Sequence, residues 1–148
     1  MELRRNNRGL DVDTENRVGE DVAVPRSQLV HYITLLEDMA RRHQVELTVV
    51  AHAGDGNLHP TFSVPTFEPH RIQALNDALD ESIEKALELG GTITGEHGIG
   101  QYKLRWLPLE QAEEVLELQR RIKEIFDPQG ILNPGKALTS RKVREDLS

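Results

Sequence analysis

His52-Ala53-Gly54-Asp55-Gly56-Asn57-Leu58-His59 is the stretch on which the reading of this chain turns. Val45 to His52 (VELTVVAH) is rich in β-formers. Leu58 to Val64 alternates Phe62 and Val64 with Thr61 and Ser63, and Asp55-Gly56 between the two runs is a strong hairpin signal. With Asp55 and Gly56 as the central turn residues, Gly54 faces Asn57, Ala53 faces Leu58 and His52 faces His59. Opposed residues share a sheet face with Cβ atoms about 4.5–5.5 Å apart. Two imidazoles so placed can grip one divalent metal, with bonds of about 2.0–2.1 Å for zinc. The same spacing also suits two polar residues on the solvated face of a hairpin.

Outward from the hairpin, Asp21-Val22-Ala23-Val24 reads as a short strand stopped by Pro25. Ser27 is placed to cap a helix over about 27–43, with Leu29, Val30, Ile33, Leu36, Met39 and Ala40 at helical spacing. A second helix follows Pro69, carries Ile72, Leu75, Leu79, Ile83, Ala86 and Leu87, and ends at Gly90-Gly91. Thr92-Ile93-Thr94 reads as a last short strand. A third long helix begins near Pro108 and stops near Asp127-Pro128, with Leu109, Ala112, Leu116, Gln119 and Ile122 or Lys123 on one side. The fold expected is α+β: a ferredoxin-like βαββαβ antiparallel sheet with helices on one face, plus a C-terminal helix. Residues 20–138 form the domain. Residues 1–19 are a polar, charged stretch unable to bury a core alone, and 139–148 read as a disordered tail.

Composition narrows the function. The 148 residues carry 25 acids against 18 Lys+Arg, a formal charge of −7, with only 4% aromatics, which argues against nucleic acid. No apolar run is long enough for a membrane helix and no signal peptide opens the chain, so a cytoplasmic location is expected. Cysteine is absent, which excludes thiolate chemistry, disulfides and Cys-type metal sites.

Of six histidines, His31, His43 and His70 lie within or at the ends of helices and read as surface residues; His52, His59 and His97 border glycine-rich turns. His97 belongs to Gly95-Glu96-His97-Gly98-Ile99-Gly100, where the glycines permit close approach of a ligand. Glu96 is suited to be a third, anionic ligand that leaves a coordination position open, and His97 to be a general base beside it. Taken alone, the loop equally suits a helix-leading turn whose Glu and His are solvated. In a plain ferredoxin-like sheet the last strand is not next to the hairpin, so the Glu96 loop has to fold back across the sheet to complete such a site.

At these motifs the chain resembles the C-terminal region of FAD-linked oxidases of the vanillyl-alcohol-oxidase-like superfamily, in particular the glycolate oxidase FAD subunit, D-lactate dehydrogenase and D-2-hydroxyglutarate dehydrogenase. The matching pieces are Asp21 to Arg26 (DVAVPR), His52 to Pro60 (HAGDGNLHP), Gly95 to Gly100 (GEHGIG) with Lys103 beyond it, and Asp127 to Lys136 (DPQGILNPGK). The resemblance implies that His52, His59 and Glu96 bind a divalent metal (zinc, manganese or iron) and that His97 takes the hydroxyl proton of a small 2-hydroxy acid. It places Asn57 beside metal and substrate, Arg26 at the substrate carboxylate, and Lys103 and Asn133 on the flavin side. It further implies that FAD is held by a domain this chain lacks, residues 1–19 being the broken edge of a cap domain. A separate FAD-domain polypeptide is then a natural partner. Apolar residues of the third helix and Ile131-Leu132 would be left uncovered, and a homo-oligomer is expected. Two other readings compete: a free-standing metal-binding sensor or partner-binding module, and a small metallohydrolase, which has no independent support in the sequence.

Overall fold

The computed structural model describes residues 16–138, so the expectations for residues 1–15 and for the tail 139–148 lie outside the described residues. The architecture is α+β: one antiparallel sheet with two long helices packed against it. Strands β1 (Asn16–Gly19), β2 (Val22–Ala23), β3 (Glu46–His52) and β4 (Asn57–Val64) all meet on β4. β3 runs along one side of β4, and β1 and β2 together along the other.

β1 and β2 keep one register along β4, pairing Gly19 with Thr61 and Val22 with Leu58. The interruption between them has a chemical cause. Glu20 N–H donates to the Pro60 carbonyl at 2.8 Å, but Pro60 has no N–H to return. Extending the register across this gap sets Asp21 opposite His59. Residues 16–19, read from sequence as part of a polar stretch, are thus an edge of the sheet.

Alternation along β4 separates its two faces. Leu58, Phe62 and Val64 are buried with Tyr32, Leu36 and Met39 of α1 (Leu29–His43) and with Leu75, Leu79 and Ile83 of α2 (Pro69–Glu88). The Tyr32 hydroxyl ties the two helices by donating to the Ser82 carbonyl at 2.9 Å. Helix α1 ends where Gln44 turns left-handed (φ 55°), after Arg41, Arg42 and His43 complement its negative end. Helix α2 starts on Pro69 and is closed by Gly90 at φ 77°.

Three local expectations are corrected. First, the hairpin turn holds four residues rather than two: His52 pairs with Asn57, and Val50 with His59. The Asp55 and Gly56 N–H groups both donate to the His52 carbonyl, while Gly56, at φ 85°, abuts Val24, whose carbonyl oxygen a Cβ would meet at 2.2 Å. Docking against the neighbouring strand, not the Asp-Gly pair alone, sets the turn. Second, the strand expected at Thr92–Thr94 is a single antiparallel bridge, Ala23 to Thr92. Third, the long C-terminal helix is broken into α3 (Leu107–Glu110) and α4 (Glu113–Phe126). Glu110 is drawn off to accept hydrogen bonds from Ile93 N–H and the Thr92 hydroxyl, and Gln111 turns extended. On the side expected to be buried, Leu116 is, whereas Leu109 and Ile122 are exposed. Among the described residues no helix is long and apolar enough to cross a membrane.

Candidate metal and substrate site

The polar face of β4 carries Asn57 and His59, and β3 adds His52 at its end. The turn correction moves the pairing of His52 by two residues. A two-residue slip keeps every side chain on its original face, so the two histidines are diagonal neighbours rather than directly opposed. Their rings are 5.2 Å apart, edge to face.

The Gly95–Gly100 loop does fold back across the sheet. Asp21 holds it there: Oδ2 accepts from Glu96 N–H (2.9 Å), His97 N–H (2.7 Å) and the Thr94 hydroxyl (2.9 Å). Gly95 lies so close over Asn57 that a Cβ would come within 2.4 Å of its side-chain oxygen. The loop thereby brings Glu96 Oε1 to a focus of three imidazoles: 3.4 Å from His59 Nε2, 3.4 Å from His97 Nε2 and 3.9 Å from His52 Nε2. His97 stacks on His59 with ring centroids 4.9 Å apart.

The donor atoms of His52, His59 and Glu96 all lie within 4.8 Å of one another. Zinc bonds of 2.0–2.1 Å in a tetrahedron would place donors about 3.3–3.4 Å apart. The set therefore fits a divalent cation with small side-chain adjustments, and nitrogen and carboxylate donors suit zinc, manganese or iron. A second grouping, Asp21, His59 and His97, shares His59. It is the poorer cage because Asp21 is buried and its Oδ2 is committed to the loop by three hydrogen bonds, which leaves only the enclosed Oδ1 as a donor.

The sequence motif Asp21–Arg26 includes Asp21 without assigning it a role. Burial opposes its ionisation. The N–H groups of His97 and Glu96, the Thr94 hydroxyl and the Lys103 charge outweigh that opposition and bring its pKa down to about 2. The signal that locates it is the β1–β4 register, which becomes available only once residues 16–23 are recognised as pairing with 57–64.

Asn57 is at the centre, buried, with its side-chain oxygen lacking a hydrogen-bond partner. Arg26 is exposed at the rim, its guanidinium 3.5 Å from the Gly54 carbonyl of the hairpin turn. The Lys103 amino group points inward: it donates to the Asp21 and Ile93 carbonyls and lies 3.3 Å from buried Glu20. Burial raises the Glu20 pKa while Lys103 acts against it. Asn133 is exposed in a left-handed turn (φ 49°) beyond α4.

Comparison with known proteins identifies the family. Residues 11–137 match the family model "FAD linked oxidases, C-terminal domain". The chain is 41% identical over 117 residues to the glycolate oxidase subunit GlcD of Bacillus subtilis, covering 79% of this chain and 25% of that protein. It is 40% identical over 121 residues to the mitochondrial D-lactate dehydrogenase [cytochrome] of Arabidopsis thaliana, covering 80% and 21%. The 4-ethylphenol oxidase from Gulosibacter chungangensis, solved with isoeugenol, shares the fold with a TM-score of 0.65 at 17% identity, covering 90% of this chain and 26% of that one. The chain spans about a quarter of the length of the curated relatives it matches. It belongs to the FAD-linked oxidase C-terminal domain family.

Proposed function

We propose that this member of the FAD-linked oxidases supplies the substrate-and-cation half of a reaction that oxidises a small 2-hydroxy acid, of the glycolate or D-lactate type, to the 2-oxo acid. The observation that carries the proposal is the meeting of His52, His59 and His97 on one Glu96 oxygen. The names of the relatives, glycolate oxidase subunit and D-lactate dehydrogenase, support the substrate class.

His52, His59 and Glu96 would hold a divalent cation, which when bound supplies Lewis-acid stabilisation of negative charge on the substrate hydroxyl oxygen. His97, exposed and stacked on His59, takes the hydroxyl proton as the C2–H bond is broken. Stacking and the Asp21 contact to its backbone keep that imidazole beside the cation ligands. Asn57 offers an unpartnered amide oxygen to the site floor, and Arg26 offers a charge at the rim for a carboxylate. The C2 hydrogen would leave with its electron pair to a flavin, the electron acceptor that the family name implies. Neither the sensor nor the hydrolase reading gains support from the relatives.

The test is ligand binding by the chain itself. Zinc is titrated calorimetrically, and glycolate or D-lactate is then added with acetate and propionate as controls lacking the hydroxyl. The expected result is one zinc per chain and hydroxy-acid binding that requires it, with both lost in His59→Ala. Zinc binding unchanged in His52→Ala and His59→Ala, or hydroxy acids binding no better than their controls, would overturn the proposal.

A further inference from the structure

Besides Asn57 Oδ1, two buried polar atoms at the site have no hydrogen-bond partner: Asp21 Oδ1 and His59 Nδ1. They face each other at 3.8 Å, and the strand register places the two residues opposite one another. Unpaired buried polar atoms are costly, and this pair can satisfy itself if the ring moves by roughly 0.9 Å to reach ordinary hydrogen-bond length. The opposite nitrogen, Nε2, faces Glu96. Both ring nitrogens thus face a carboxylate, but Glu96 is exposed and can take hydrogen bonds from water, whereas Asp21 Oδ1 is buried with no other donor beside an Oδ2 that already accepts three, so a neutral His59 carries its proton on Nδ1.

We propose that Asp21 is the positioning residue of this site: one carboxylate oxygen pins the Glu96–His97 loop, and the other fixes His59 in the tautomer that leaves Nε2 unprotonated toward the cation. This inference rests on the proposed cation site and deepens it. The division of labour follows from the two oxygens. Oδ2 is saturated by three donors from the loop, so it sets where Glu96 and His97 stand. Oδ1 is free for the ring. A carboxylate behind a ligating imidazole fixes ring orientation and raises ligand basicity, and losing such a partner weakens metal binding by about 10–100-fold. Lys103 adds a brace from below by donating to the Asp21 carbonyl, and so holds the backbone from which both oxygens project.

The experiment is long-range proton–nitrogen NMR on the metal-free chain at pH 8, where an ordinary imidazole is neutral, with zinc affinity measured alongside. Wild type is expected to show His59 protonated on Nδ1. In Asp21→Asn the amide oxygen can keep the loop contacts while the amide N–H₂ turns to the ring. That donor requires Nδ1 to accept, so the proton moves to Nε2, and zinc affinity falls at least tenfold. A residue that merely supports the fold would not move this proton. If Asp21→Asn fails to fold, the wild-type tautomer still decides. A wild-type His59 protonated on Nε2, or a folded Asp21→Asn variant with the wild-type pattern, would overturn the inference. Failure of the wild-type chain to bind zinc would instead overturn the cation reading and leave the tautomer result standing.

Discussion

Gly95→Ala is the substitution whose consequence the structure constrains most tightly. Gly95 does not use the left-handed backbone region, so alanine is conformationally permitted there and the effect isolates steric contact. The new Cβ would lie 2.4, 2.6 and 2.8 Å from the Asn57 Oδ1, Cγ and Nδ2 atoms. Real Cβ contacts this short do not persist, so either the Asn57 amide or the loop must shift. Asn57 is buried and its backbone is held between His52 and Ala23, which leaves the loop to yield. Overpacking of this kind costs about 1–3 kcal/mol. At roughly 2–4 °C per kcal/mol for a chain of this size, the midpoint of thermal unfolding should fall by about 2–12 °C. Glu96 moves with the loop, so zinc affinity should fall as well. Calorimetry on Gly95→Ala, Asn57→Ala and the double variant separates the terms: the double variant should be more stable than the sum of the singles predicts, by about 1 kcal/mol or more. An unchanged midpoint in Gly95→Ala, or strict additivity in the cycle, would refute the close packing of loop on amide.

Lys103→Met leaves Glu20 buried without its cation and should cost about 3–5 kcal/mol in denaturant unfolding, with much of the loss recovered in Glu20→Gln/Lys103→Met. Hydrogen bonding from the Arg42 guanidinium, aided by His43 and opposed by burial, holds the Glu81 carboxyl below its ordinary value. Its contribution is therefore present above the unfolded carboxyl pKa of about 4.3 and lost as pH falls through the lower folded value, so Glu81→Gln should flatten the acid limb of a stability–pH curve measured from pH 7 to 3. Ile125 and Phe126 are 75% and 79% exposed at the end of α4. Replacing both with serine should change stability by no more than about 0.5 kcal/mol each while reducing self-association in light scattering.

The residues divide clearly into those whose placement was legible in the sequence and those whose placement was not. Both long helices were readable because their apolar stripes, the Pro69 start and the Gly90 stop are local signals. The hairpin was readable too, but not its register, because turn length depends on Gly56 meeting Val24 some thirty residues earlier. The histidine pair survived that error because the slip was even-numbered, which preserves the face. The C-terminal helix failed as a single element because Glu110 finds partners at Thr92 and Ile93, a tertiary demand that helical periodicity does not report. For the same reason Glu96 could be named as a ligand but not placed. Its position depends on Asp21, 75 residues away, acting through backbone N–H groups that leave no mark on side-chain patterning. Lys103, which only the family resemblance singles out, has its amino group at Glu20 and two carbonyls, partners that no sequence pattern reports.

The central claim is that three side chains from two strands and one loop close on a single cation. Anomalous diffraction at the zinc edge from zinc-soaked crystals of the chain addresses it directly. The account predicts one strong peak at the hairpin, about 2.0–2.1 Å from Nε2 of His52 and of His59 and about 2.0–2.2 Å from Oε1 of Glu96. A map with no peak there, or with zinc bound only at other histidines such as His31 or His70, would contradict it.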